Sequence, residues 1–118
     1  MESRRSILGL VALVLAISAA SQWWGQRQEQ ALGRSVAQAA RPGDIVMIAS
    51  DTCHFCKSAR RWMDEHGVAF SECSVERDAA CAERYRALSS PGTPLMLVRG
   101  QPQLGFNPER VWQRLSAG

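Results

Sequence analysis

Residues 51–57 read Asp-Thr-Cys-His-Phe-Cys-Lys, and this segment decides the fold because an apolar strand precedes it and a helix follows it. Before it, Ile45–Ala49 is a short apolar run with β-branched residues, which predicts a buried strand. After it, apolar residues recur at helical spacing until Gly67, with charged residues on the opposite face. The C-x-x-C pair, Cys53 and Cys56, is therefore predicted in the first turn of a helix.

This position of the two cysteines has a chemical consequence. The first backbone N–H groups of a helix are unpaired and the peptide dipoles place partial positive charge there, so a thiolate at Cys53 is stabilised. The thiolate is the attacking species in disulfide exchange. Cys56 lies one helical turn further along, within reach of a mixed disulfide at Cys53. The sequence thus predicts Cys53 as the nucleophile and Cys56 as the resolving thiol.

A C-x-x-C pair also occurs as half of a zinc site or as a structural disulfide. Zinc normally takes four protein ligands, and the chain contains no second C-x-x-C and no H-x3-H. We therefore predict redox chemistry and no metal. The alternative function is a carrier module that holds copper or zinc through Cys53, Cys56 and His54, since thiolates and imidazole suit these metals.

The charge of the chain is unevenly distributed. Residues 1–43 contain five arginines and two glutamates, whereas residues 44–118 contain nine basic and nine acidic side chains. The net charge of +3 therefore comes from the N-terminal part, and a neutral folded part argues against nucleic acid as a partner. A chain of 118 residues makes one domain at most, and we expect a monomer.

The N-terminal segment has the composition of an export signal or a membrane anchor. Two arginines precede a long apolar stretch, and no further charge occurs until Arg27. Small residues at positions 18–20 would suit cleavage, but the uncharged stretch continues through Trp24 and is long enough to cross a bilayer. We predict an uncleaved anchor over residues 1–26, and the alternative is a signal whose removal leaves a soluble periplasmic protein.

The arginines also predict the orientation. The positive-inside rule leaves Arg4 and Arg5 in the cytoplasm and sends the C-terminal domain outward, which in a bacterium means from the inner membrane into the periplasm. Four cysteines in a small exported domain fit an oxidising compartment. Residues 27–43 are rich in Gln and Ala, with Leu32 and Val36 among apolar residues at near-helical spacing, and they predict a helix that serves partly as a stalk or linker. The alternative is a helix packed on the side of the domain. The folded domain is then expected over residues 44–118.

The elements predicted after the C-x-x-C helix give the order β-α-β-α-β-β-α, in which two strands joined by a helix are parallel and a hairpin follows. The fold class is therefore α/β, with a mixed four-stranded sheet preceded by an N-terminal hydrophobic helix. The predicted later elements are a strand over residues 68–75, a helix over 78–88, strands over 95–98 and 103–106, and a helix from Pro108 capped by Asn107.

Three motifs in this order resemble the glutaredoxin family of the thioredoxin-like superfamily. They are the C-H-F-C after a strand, Thr93-Pro94 before a later strand, and residues 105–109, Gly-Phe-Asn-Pro-Glu, before the final helix. The resemblance extends from Asp44 to about Ser116. It implies a thioredoxin-like fold, a cis bond at Pro94, and thiol-disulfide oxidoreductase activity on a protein disulfide or a small thiol substrate.

The resemblance also implies a substrate-binding role for four residues: His54, Phe55, Thr93 and Pro94. It implies no resident cofactor, with glutathione as a possible co-substrate. The motif differs from the usual C-P-Y-C, since His54 replaces the proline. A protonated His54 would favour the thiolate, and the alternative is an exposed side chain with little effect on Cys53. The Gly-Phe-x-Pro-acidic run is similar to the glutaredoxin-like hydrogen donors of ribonucleotide reductase, which do not depend on glutathione.

Two further cysteines lie outside the C-x-x-C. Cys73 is near the end of the predicted second strand and Cys81 is near the start of the next helix, so a bridge across the intervening loop is geometrically plausible. We predict a structural disulfide between them. The alternatives are two buried free thiols or a second redox pair.

Overall fold

The computed structural model describes residues 2–117 and divides the chain into two compact units, Met1–Ala31 and Leu32–Gly118. Helix α1, Glu2–Ala39, contributes residues to both units. The remaining elements are β1 (Ile45–Ala49), α2 (His54–Glu65), β2 (Ser71–Ser74), α3 (Ala79–Ala87), β3 (Leu95–Val98), β4 (Gln101–Leu104) and α4 (Pro108–Ser116).

The strands form one mixed sheet in the order β2-β1-β3-β4. β1 pairs in parallel with β2 and antiparallel with β3, and β3 pairs antiparallel with β4. The two central strands carry the apolar runs that predicted buried strands, and all four residues of β3 are buried. The predicted thioredoxin-like fold with a mixed four-stranded sheet is therefore confirmed.

Alternating residues of the central strands pack on opposite faces of the sheet. On one face, Met47 and Met96 belong to a core that also contains buried residues of α2, α4 and the C-terminal turns of α1. On the other face, Ile48 and Leu97 pack with Cys81 of α3. The helix that carries the C-x-x-C thus lies on the larger core, and α3 covers the second face.

The last turns of α1 belong to the folded unit. Val36 and Ala40 are 1% and 8% exposed and lie in the larger core, and Leu32 packs against it. The compact unit consequently begins at Leu32, within the segment 27–43 that is predicted as a stalk, whereas the predicted domain begins at residue 44.

Several element boundaries differ from the predicted ones. The second strand is shorter than residues 68–75, and the fourth begins at Gln101 instead of residue 103 because the hairpin turn consists only of Arg99 and Gly100. Both turn residues have positive φ, +48° and +80°, as a two-residue type I′ turn requires. Pro102 is tolerated in β4 because this strand lies at the sheet edge.

Candidate functional site

The loop after β1 places Cys53 at the start of α2. The Cys53 N–H donates to the Ser50 carbonyl at 3.1 Å, which closes a turn directly after the strand. Cys53 then has extended backbone angles and is the N-cap of α2, one position before the predicted first turn. Its Sγ accepts a hydrogen bond from the Cys56 N–H at 3.1 Å. The sulfur therefore lies against the unpaired N–H groups and the positive end of the helix dipole.

The two cysteines of the motif differ in exposure. They are joined as a disulfide with a Cα–Cα distance of 5.3 Å. Cys56 is fully buried in the larger core, whereas Cys53 is only partly buried. A substrate sulfur can therefore approach Cys53 more readily than Cys56.

The two residues between the cysteines are exposed. The Phe55 side chain is 72% exposed, although a large aromatic side chain normally finds a buried position. The ring of His54 lies edge-on to that of Phe55, with centroids 6.1 Å apart. Together they form a small aromatic surface next to Cys53.

Sheet pairing brings Thr93 and Pro94 to the same edge as the cysteine loop. The peptide bond between them is cis, and Pro94 is fully buried while Thr93 is half-buried. The next residue, Leu95, pairs with Ile48 in the antiparallel register, so the start of β3 lies beside the end of β1. The Pro94 carbonyl accepts a hydrogen bond from the Gly105 N–H at 2.8 Å, which joins this loop to the segment before α4.

A polar network at this edge was not found by sequence reasoning. The Glu76 carboxylate, on the loop between β2 and α3, accepts hydrogen bonds from the hydroxyls of Ser50 and Ser74 and from the Asp51 N–H. These donors lower the pKa of Glu76 to about 2. Asp51 in turn pairs with Arg77 at 3.0 Å. The sequence does contain one indication of this network. Ser50 and Asp51 follow β1 and Glu76 follows β2, and the ends of two parallel strands meet at one edge of a sheet.

The second cysteine pair lies outside this arrangement. Cys73 of β2 and Cys81 of α3 form a disulfide with a Cα–Cα distance of 6.1 Å. Cys81 is buried in the smaller core, on the opposite face of the sheet from Cys56. The bridge joins the two elements on either side of the loop that carries Glu76.

The metal-carrier alternative requires a group of His or Cys side chains, or of carboxylates, that can hold a metal ion. Within residues 2–117, no group of three or more of these side chains is arranged to hold a metal ion. The carrier alternative therefore gains no support from the described part of the chain.

The fold and the C-x-x-C at a helix N-terminus define a thiol-disulfide oxidoreductase of thioredoxin-like fold. The sequence model of the family Glutaredoxin matches residues 45–103, half of the chain. The chain belongs to the glutaredoxin family.

Individual relatives and solved structures are also similar to this chain. The glutaredoxin-like protein NrdH of Lactococcus lactis subsp. cremoris is 21% identical over 67 residues, which are 57% of this chain and 93% of the relative. A variant of the thioredoxin-like protein BC3987 superposes with a TM-score of 0.56 and 27% identity, covering 64% of this chain and 99% of its own. The glutaredoxin-like NrdH-redoxin of Escherichia coli superposes with a TM-score of 0.52 and is 25% identical in sequence. This match covers 58% of this chain and 91% of the NrdH-redoxin.

Proposed function

We propose that this protein exchanges disulfides with a protein disulfide or a small thiol substrate, with Cys53 as the attacking thiol and Cys56 as the resolving thiol. The observation that carries this assignment is the contrast between the partly exposed Cys53 sulfur at the N-cap of α2 and the fully buried Cys56. An accessible, helix-stabilised thiolate is the species that attacks a disulfide.

The reaction takes place in two exchanges. In the first, the Cys53 thiolate attacks one substrate sulfur, the substrate disulfide breaks, and the released thiolate takes up a proton from water. In the second, the Cys56 thiolate attacks the Cys53 sulfur and releases the other substrate thiol. The substrate gains two electrons, and the protein ends as the Cys53–Cys56 disulfide. The reverse sequence oxidises a dithiol substrate.

The substrate-binding surface consists of His54, Phe55, Thr93 and Pro94. The exposed Phe55 ring provides apolar contact area beside Cys53, and we propose that an extended substrate chain pairs with the half-buried Thr93 before β3. The E. coli NrdH-redoxin is described as having a thioredoxin-like activity profile, which favours protein disulfides as substrates. The exchange needs one copy of the chain and no resident cofactor, and glutathione is one co-substrate that could regenerate the pair.

The proposed location is the bacterial inner membrane, with the redox domain in the periplasm. α1 contains a segment long and apolar enough to cross a bilayer, with a mean hydropathy of 1.8 and none of it buried, a property that signal sequences share. Trp23 and Trp24 are more than half exposed, and the Arg27 guanidinium lies 4.4 Å from the Trp23 ring centroid. Aromatic and basic residues at the end of an apolar stretch are typical of a membrane interface.

Serine variants test the chemistry. We expect Cys53→Ser to abolish reduction of insulin or of a model disulfide, because no thiolate remains at the N-cap. Cys56→Ser should accumulate a mixed disulfide that mass spectrometry detects, because the resolving step is lost. The double variant Cys73→Ser/Cys81→Ser is the control and should retain exchange. Full activity of Cys53→Ser would contradict the assignment.

A further inference from the structure

The loop between β2 and α3, residues 75–78, contacts the loop that leads to Cys53. Three donors converge on the Glu76 carboxylate at this contact. The Asp51 N–H donates at 3.1 Å and the Ser74 hydroxyl at 2.9 Å, and the Ser50 hydroxyl donates to the other carboxylate oxygen. Ser50 and Asp51 belong to the segment between β1 and the N-cap of α2. Glu76 therefore ties the C-x-x-C loop to the neighbouring strand.

Glu76 acts on the segment that places the reactive sulfur. The Ser50 carbonyl accepts the hydrogen bond from the Cys53 N–H, so the residue that Glu76 holds is the one that fixes the backbone of Cys53. As the N-cap, Cys53 presents its Sγ to the Cys56 N–H only while its backbone keeps this extended conformation. A looser loop would weaken the contact between the sulfur and the helix N-terminus.

Three further contacts hold the β2–α3 loop and the elements on either side of it. The Asp51 carboxylate lies 3.0 Å from the Ser74 hydroxyl, whose single proton it shares with Glu76, and it pairs with Arg77. The disulfide Cys73–Cys81 joins the strand before the loop to the helix after it. These contacts hold the loop on both sides. Glu76 therefore lies on a fixed segment, which it needs in order to position the C-x-x-C loop.

We propose that Glu76 is a positioning residue for the thiol-disulfide exchange: through Ser50 and Asp51 it keeps Cys53 at the N-cap of α2. This inference rests on the proposed function and adds a residue that acts on the reaction without touching the substrate. The carboxylate is charged at neutral pH, since its pKa is about 2. Its charge alone would oppose a nearby thiolate, so positioning and charge have effects of opposite sign.

The pair Glu76→Ala and Glu76→Gln separates these two effects. Alanine removes every hydrogen bond, whereas the glutamine oxygen can still accept from the Asp51 N–H and its amide can donate to the Ser50 hydroxyl. The readouts are the equilibrium constant of the Cys53–Cys56 pair in a glutathione redox buffer and the rate of model-disulfide reduction at neutral pH. Glu83→Ala is the control, because Glu83 is exposed on α3 and pairs only with Arg86 among the contacts described.

We expect Glu76→Ala to shift the equilibrium toward the disulfide by roughly threefold or more and to lower the rate similarly, because the reduced form loses thiolate stabilisation. Glu83→Ala should match the wild type. Glu76→Gln keeps the hydrogen bonds and loses only the charge, so it should not shift toward the disulfide, and any small shift should be toward the dithiol. Ser50→Ala removes the hydroxyl that contacts Glu76 and Thr52 without altering Glu76 itself, and it should shift the equilibrium in the same direction as Glu76→Ala by less. It provides a readout if Glu76→Ala does not fold.

Wild-type behaviour of both Glu76→Ala and Ser50→Ala would overturn the inference. So would a shift of both Glu76 variants toward the dithiol, which is the result that a charge effect produces. The proposed function fails separately: if the wild type reduces no disulfide substrate, the glutathione equilibrium still reports whether Glu76 acts on Cys53.

Discussion

At the scale of single residues, Glu76 links the active-site loop to the pH dependence of stability. Hydrogen bonds from Ser50, Asp51 and Ser74 lower its pKa from 4.5 to about 2 in the folded protein. A carboxyl with a depressed pKa contributes stability above its unfolded pKa, and this contribution is lost as the pH falls through the folded pKa. This loss of stability therefore occurs as the pH falls from 4.5 to about 2.

We expect the difference in unfolding free energy between the wild type and Glu76→Gln to decrease as the pH is lowered through this window. The glutamine does not titrate, so its hydrogen bonds are independent of pH. Urea unfolding followed by tryptophan fluorescence at several pH values measures the difference. Two stability curves that run parallel from pH 5 to pH 2 would contradict the lowered pKa of the folded state.

The contrast between Cys53 and Glu76 shows what the sequence could predict of the site. Cys53 and Cys56 follow from a short motif after an apolar strand, because their geometry depends only on local helix structure. Glu76 lies 25 residues from Asp51, and their contact depends on the parallel pairing of β1 with β2. Sequence periodicity predicts strands but leaves the register between them undetermined.

At the scale of elements, Gly33 is the residue that lets α1 approach the end of α2. A Cβ at Gly33 would lie 2.0 Å from Cδ2 of His66 and 2.5 Å from its Cγ. The imidazole has little freedom to move, because it stacks on Trp62 with centroids 4.2 Å apart and its Nδ1 lies 2.8 Å from the Trp62 carbonyl oxygen. His66 thus has a packing role at this helix end.

We expect Gly33→Ala to destabilise the folded unit by about 1–3 kcal/mol, because the added methyl group overlaps a fixed ring. Gly25→Ala is the matched control, since nothing lies within 4 Å of a Cβ at that position in the same helix. Thermal unfolding measures both changes. Adding His66→Ala to Gly33→Ala should recover part of the loss, and a Gly33→Ala protein as stable as the wild type would contradict the packing argument.

The elements themselves divide into those that local pattern predicts and those that tertiary contacts decide. β1 and β3 match their predicted bounds. Each is a short, continuous apolar run, which is typical of a strand that is buried on both faces of a sheet. The last turns of α1 are Ala- and Gln-rich, so composition alone did not distinguish a stalk from a packed helix. The near-helical spacing of Leu32 and Val36 allows a packed helix, but whether Val36 is buried depends on the surface that α2 and α4 offer.

At the scale of the whole molecule, the charge and apolar patterns divide the chain into parts with different surroundings. The apolar side chains of α1 between Ile7 and Ile17 are about half exposed or more, which is costly in water and favourable in lipid. The compact unit from Leu32 onward instead buries its apolar residues in two cores. Such a division fits the proposed membrane anchor, and an N-terminal export signal would show it as well.

We therefore expect the full chain to remain with bacterial membranes after carbonate extraction and to be released only by detergent. Deletion of residues 2–26 should give a soluble protein that still exchanges disulfides, because the deletion leaves the compact unit from Leu32 intact. Because positive charge at the N-terminus favours the cytoplasmic side, protease added to spheroplasts should digest the redox domain. Cys53 should likewise react with a membrane-impermeant thiol reagent after mild reduction.

Exchange of Arg4 and Arg5 for glutamate is the matched variant, since it alters only the charges that set the orientation and leaves the apolar segment unchanged. The positive-inside rule predicts that this variant is less accessible to external protease. If the full-length sequence is expressed and a shortened protein is found in the supernatant, residues 1–26 are a cleaved signal. A domain protected in intact spheroplasts and digested only after lysis would contradict the periplasmic orientation.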